Sequence, residues 1–134
     1  MPQIIFCCFI RYIFCLTMIL ENLKFPTNLE MVLHLLGYAI VDEIFFYTCH
    51  RLAHHKIFYQ HVHKLHHQWT SPIALSSDYC HPLEHLLVNV LPNISYGLIF
   101  GSDPFTYLIW WILVYLGSQS NHSGYRWWHI LLLR

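Results

Sequence analysis

His50-Arg51-Leu52-Ala53-His54-His55 and, six residues on, His61-Val62-His63-Lys64-Leu65-His66-His67 place seven of the chain's twelve histidines in one eighteen-residue window. Neutral imidazole is a borderline-soft nitrogen donor that suits iron, zinc and copper, and packing alone gives no reason to gather so many rings beside apolar segments. His50 and His54, four residues apart, stack on one helix face and can reach a single ion or bracket two. In His63-x-x-His66-His67 the first two share a face while the third turns about 100° away, so one short segment can serve two neighbouring metals. A structural zinc is satisfied by four ligands with no open position. The number of histidines therefore predicts a dinuclear site with open positions, with iron favoured over zinc by donor type. The bland alternative is a hydrated polar loop.

Outward from this window the chain is apolar. Of its 134 residues 56% are hydrophobic and only 10% charged, against about a quarter charged in soluble domains, which points to lipid as the surrounding solvent. Seven Lys/Arg balance seven Asp/Glu, so no basic field argues for nucleic acid, which is set aside. The five cysteines, Cys7, Cys8, Cys15, Cys49 and Cys80, show no C-x-x-C spacing and are read as free thiols rather than a disulfide framework.

The expected fold is all-α, an integral membrane helical bundle with a cytosol-facing histidine-rich metal site. Ile4 to Leu20 is apolar apart from Arg11 and Thr17 and would be about 25 Å long as a helix. It is read as an uncleaved anchor, and residues 1–28 as anchor plus linker. Thr27 or Asn28 caps a second helix that runs from Leu29 to about His55. Leu29 to Tyr47 is long enough to span a bilayer, yet Asp42 and Glu43 lie along the stripe that ends in His50 and His54, where they would accept the second imidazole N–H. His34, alone on an apolar helix, is read as a satisfied interior residue.

Two further apolar stretches, Glu84 to Phe100 and Pro104 to Gly117, flank the turn Gly101-Ser102-Asp103-Pro104, with Pro92 expected to kink the first. They form a re-entrant hairpin or two tilted spans, and either way leave His67 and His122 on one side. Arg51, Lys56, Lys64, Arg126 and Arg134 fall on that side, so the positive-inside rule makes it cytosolic. The aromatics between Phe105 and Tyr115, including Trp110 and Trp111, suit a sterol or acyl chain as well as an interfacial belt or helix packing.

In these residues the chain resembles the fatty acid hydroxylase / sterol desaturase superfamily, most of all the C-4 methylsterol oxidase group and the fatty acid hydroxylase domain-containing proteins. The resemblance rests on the two histidine boxes, on Gln68-Trp69-Thr70-Ser71-Pro72, on Tyr79-Cys80-His81-Pro82-Leu83-Glu84 and on Asn121-His122-Ser123-Gly124-Tyr125. It implies a membrane-bound non-haem di-iron monooxygenase of the endoplasmic reticulum that hydroxylates a lipid, with stepwise oxidation of a C-4 methyl group in the sterol branch. Dioxygen is the implied co-substrate, and electrons come from NAD(P)H through cytochrome b5 or its reductase; no nicotinamide-binding glycine motif is present in the chain itself. By the same resemblance His50, His54, His63, His66 and His67 are metal ligands and His122 is a further candidate, while the roles of His55 and His81 stay open. Family members continue to a third box of the H-D-x-H-H type, where this chain reads Arg126-Trp127-Trp128-His129 and on to Arg134. Residues 29–134 are therefore expected to be a hydroxylase domain with an incomplete C-terminal end. The competing expectation is a catalytically inactive, truncated member acting as a membrane interaction protein.

Overall fold

The computed structural model describes residues 25–125 as a continuous stretch, with isolated positions before it; the expected anchor over Ile4–Leu20 and the segment from Arg126 lie outside that stretch. Every regular element among the described residues is helical, as expected. Helix α1 (Asn28–Ala53) starts at Thr27, whose side chain accepts from the Glu30 N–H at 3.3 Å while the Glu30 carboxylate accepts from the Thr27 N–H at 2.8 Å. This reciprocal pair satisfies two otherwise orphaned backbone donors and fixes where the helix begins. A single turn, α2 (Lys56–Tyr59), leads to a 3-10 segment at His63–Gln68 and a second at Ala74–Asp78.

The chain then forms one rod from Pro82 to Phe100. It opens as the short turn α3 (Pro82–Glu84), widens to a π-helical turn over His85–Val90, and continues as α4 (Leu91–Phe100). Pro92 explains the widening, because it has no N–H to give to the carbonyl four residues back. The Leu91 N–H instead reaches Leu86, five residues back. The kink expected at Pro92 thus takes the form of a π-turn just before it. Gly101, at φ +70°, ends α4 in the left-handed region, and Asp103 caps α5 (Pro104–His122) by accepting from the Thr106 N–H at 2.7 Å.

α1 packs along α4 and crosses α5, and the Ala74–Asp78 turn lies against α5. The core where they meet is aromatic: Tyr38, Val90, Ile94, Tyr107 and Trp110 are buried, with Tyr38 stacked on Trp110 at 5.5 Å between ring centres. Trp110 is therefore packing. His34 bonds the Tyr96 hydroxyl through Nδ1 at 2.9 Å, the satisfied interior role the sequence suggested. Cys49 is half-buried and Cys80 buried, and neither forms a disulfide.

At Gly37 of α1 the Tyr96 side chain of α4 lies against the helix. A Cβ added there would lie 2.2 Å from Cε2 of Tyr96, a ring already held by His34 and packed 4.6 Å from Tyr38. Gly37→Ala is expected to destabilise the fold by about 1–3 kcal/mol through overpacking, read as a lower unfolding midpoint in denaturant. An unchanged midpoint would show that Tyr96 yields freely.

Among the described residues no helix is long and apolar enough to cross a membrane, which corrects the expected span over Leu29–Tyr47. α1 carries His34, Asp42 and Glu43 through its middle and His50 and Arg51 in its last turn, α4 has only 10 residues, and α5 ends in Ser118, Gln119, Asn121 and His122.

Candidate metal centre

The last two turns of α1 set His50 and His54 side by side, Nε2 to Nε2 at 3.2 Å. Arg51 points elsewhere and donates to the Tyr47 hydroxyl. His63 opens the first 3-10 segment, is fully buried, and puts its Nε2 3.0 Å from that of His54 and 2.9 Å from that of His67. The ligand atoms of His50, His54 and His63 all lie within 4.8 Å of one another. His66 goes to a different partner, His122 at the end of α5, Nε2 to Nε2 at 3.2 Å.

All six histidines singled out from the sequence are thus gathered, in two adjoining groups: His50, His54, His63 and His67 in one, His66 and His122 in the other. Within the second box His63 and His66 share a face as expected, yet they serve different groups. With three residues per turn a 3-10 segment eclipses i and i+3, so the rings of His63 and His66 stack at 5.6 Å while their Nε2 atoms serve different groups. His67, four residues on, is the one that returns to His63.

A backbone acceptor fixes one ring as a metal-competent tautomer, and a carboxylate can do the same for a second. The Nδ1 of His63 meets Oε1 of Glu84 at 2.6 Å, and the Nδ1 of His122 lies 3.1 Å from the Ser118 carbonyl. A carbonyl can only accept, so His122 carries its proton on Nδ1 and turns a lone pair toward His66; an ionised Glu84 does the same for His63. Lone pairs crowded at 2.9–3.2 Å repel one another unless a proton or a cation lies between them, so this donor set fits a divalent transition ion.

Burial disfavours protonation of four of these rings. His63 is pushed down to about 3 and His66 to about 4, by desolvation first and then by neighbouring imidazoles, and His50 and His67 are lowered for the same reasons. Burial acts oppositely on Glu84, raising its carboxyl to about 7 against the opposing pull of a backbone hydrogen bond from the His81 region. The close His63–Glu84 contact therefore joins two groups that both resist charging and is not an imidazolium–carboxylate pair.

Glu84 is the residue that sequence reasoning missed as a partner. Asp42 and Glu43, expected to serve His50 and His54, line the adjoining cavity, while at His63 the carboxylate partner is Glu84. An acid opening an otherwise apolar stretch was the available signal. His55 and His81, whose roles were open, are helix caps: the Nδ1 of His55 accepts from the Ile57 N–H and that of His81 from the Leu83 N–H, at 3.5 and 3.2 Å. A cavity of about 500 Å³ opens beside the histidines, walled on its apolar side by Phe46, Val88, Val114 and Tyr115.

The sequence profile of the fatty acid hydroxylase family matches residues 35–134. Fatty acid hydroxylase domain-containing protein 2 of Homo sapiens and of Macaca fascicularis are each 39% identical over 102 residues, covering 76% of this chain and 31% of theirs. A methylsterol monooxygenase homologue of Dictyostelium discoideum is 35% identical over 100 residues, covering 75% of this chain and 37% of its own. A very-long-chain aldehyde decarbonylase of Oryza sativa subsp. indica is 34% identical over 105 residues, covering 78% of this chain and 39% of its own. No solved structure matches the chain. The chain spans about a third of the length of the curated relatives it matches. The profile covers both histidine boxes and His122, and the chain belongs to the fatty acid hydroxylase family.

Proposed function

We propose that this chain carries the metal-binding part of a membrane-bound, non-haem di-iron monooxygenase that hydroxylates a lipid, with C-4 methylsterol oxidation as its reaction. The observation that carries the reading is the convergence of the Nε2 atoms of His50, His54, His63 and His67, with His66 and His122 alongside. Those four histidines would hold one ion, and His66 with His122 would contribute to a second. Iron, when bound there, supplies the redox chemistry that dioxygen activation requires.

The chain's own residues do the rest. Glu84 holds the proton at Nδ1 of His63 and so keeps Nε2 free to ligate. Phe46, Val88 and Val114 offer an apolar wall to a lipid substrate and exclude water from that side. Leu29, Val32, Leu33, Leu36 and Ile40 along α1 are exposed, as is Phe25 just before it at 83%, an apolar face that suits a bilayer. The proposed setting is the endoplasmic reticulum membrane with the histidines toward the cytosol, and the proposed electron source is NAD(P)H through cytochrome b5 or its reductase.

Membranes containing the protein, supplied with a 4-methylsterol, NADH and isotopically labelled dioxygen, are expected to yield a labelled alcohol or acid at the C-4 methyl group. Label in a hydroxylated acyl chain alone would move the substrate from sterol to fatty acid. An alkane made from a long-chain aldehyde, the chemistry named for the rice relative, would replace the hydroxylase reading.

A further inference from the structure

The two histidine groups come from different parts of the chain: α1 supplies His50 and His54, the connecting segment supplies His63, His66 and His67, and α5 supplies His122. The His66–His122 contact at 3.2 Å exists only if the end of α5 is held in register against that connection. Gln119, three residues before His122, is the side chain that makes the attachment. Its Nε2 donates to Oγ of Ser77 at 2.6 Å and to Oδ2 of Asp78 at 3.1 Å, and Ser77 is 4% exposed.

From Asp78 the polar path continues inward. The Cys80 thiol donates to the Asp78 carbonyl at 4.0 Å and lies 3.5 Å from Nδ1 of His85, and the Asn89 amide reaches both at 3.9 and 3.2 Å. Cys80 and His85 are each 3% exposed. His85 directly follows Glu84, and the π-turn that begins at His85 brings it and Asn89 to the same thiol. The path therefore runs from the helix of His122, through Gln119, Asp78, Cys80 and His85, to the residue that holds His63. Gly124 adds a second registration point: at φ +75° it lies against Pro72, which a Cβ there would approach to 2.8 Å.

We infer that Gln119, with Ser77 and Asp78, is a positioning element that sets the His66–His122 pair relative to the His63 group, and so determines whether a second ion is held. This rests on the two-ion reading above. Gln119 is not among the residues that line the cavity, whereas Ser77 and Asp78 are, so Gln119→Leu is the variant that acts through the placement of His122 alone.

The test is titration of the full chain in detergent with cobalt(II) alone, read by visible absorption, with thermal unfolding measured in parallel. Gln119→Leu and the double variant Ser77→Ala with Asp78→Ala are expected to keep the first ion within about threefold and to weaken the second by about tenfold or more. Asp78→Asn, which retains an oxygen acceptor for Gln119, is expected to hold both ions within about threefold of the parent. The positioning role is overturned if Gln119→Leu binds both ions like the parent, or if it weakens both equally while lowering the unfolding midpoint, which is general destabilisation. It is also overturned if Asp78→Asn loses the second ion as fully as Gln119→Leu, since charge rather than the hydrogen bond would then be the cause. A parent chain that takes up only one ion sinks the two-ion reading itself, whereas two ions in the parent with an unaffected Gln119→Leu sinks the positioning role alone.

Discussion

His63→Ala is expected to lower the affinity of this chain for a divalent transition ion by more than about 100-fold, the upper end of what loss of a mere supporting partner costs. His63 is the hub of the larger group: its Nε2 is within 3.0 Å of both His54 and His67, so its removal takes away a donor and the ring that fixes the spacing of the others. It also strands Glu84, whose carboxyl is 3% exposed and would lose its partner at 2.6 Å. A stranded buried acceptor costs about 1–3 kcal/mol, and with its pKa near 7 Glu84 can relieve part of this by taking up a proton. Two controls separate ligation from general damage. His61 is exposed and outside both groups, so His61→Ala should bind metal as the parent does. His55→Ala removes only a long cap to Ile57 and should lower stability slightly, by about 0.5 kcal/mol, without touching metal affinity. Chelator competition on the three variants reads the difference, and a His63→Ala chain that holds metal like the parent would remove the proposed centre.

What could be read from the sequence here follows from how local each feature is. The start of α1 was legible because the Thr27 and Glu30 pair is a three-residue affair, and the α4–α5 turn because Gly101 through Pro104 permit little else. The gathering of His50, His54, His63 and His67 was legible for the same reason, since all lie within eighteen positions. The pairing of His66 with His122 spans 56 residues and depends on how α5 docks, which no spacing rule supplies. The contact of Glu84 with His63 was hidden for a related reason: which acid meets His63 is decided by the fold of the Pro82–Phe100 segment, not by periodicity along α1. The 3-10 geometry at His63–Gln68 keeps His63 and His66 on one face, as expected, but which Nε2 atoms meet is decided by His54 and His122, which other elements bring in. The apolar stretches suggested crossings, yet polar groups interrupt α1 and end α5, and those same groups build the site.

Glu84→Gln is expected to weaken metal binding by about 10–100-fold at neutral pH and to change its pH dependence. A glutamine can still accept from the Nδ1–H of His63, but without negative charge it no longer raises the basicity of the ring. The sign of the pH effect follows from the free state. Burial holds the Glu84 carboxyl at about 7, so below that value it is mostly protonated, while a cation at Nε2 of His63 requires His63 to keep its proton on Nδ1 and favours the carboxylate. Binding then expels the Glu84 proton to solvent, and affinity rises as pH increases toward 7, with this contribution levelling off above it. His63 and His66, lowered to about 3 and 4, are already neutral from pH 5 upward and add nothing to that slope. In Glu84→Gln the slope between pH 5 and 7 should fall by up to one proton per ion, measured as the change of log affinity with pH in a buffered cobalt(II) titration. An unchanged slope, even with weakened binding, would mean that Glu84 is ionised in the free protein and acts by hydrogen bonding alone; unchanged affinity and slope together would show that the 2.6 Å contact does not govern the ring that stands at the centre of the site.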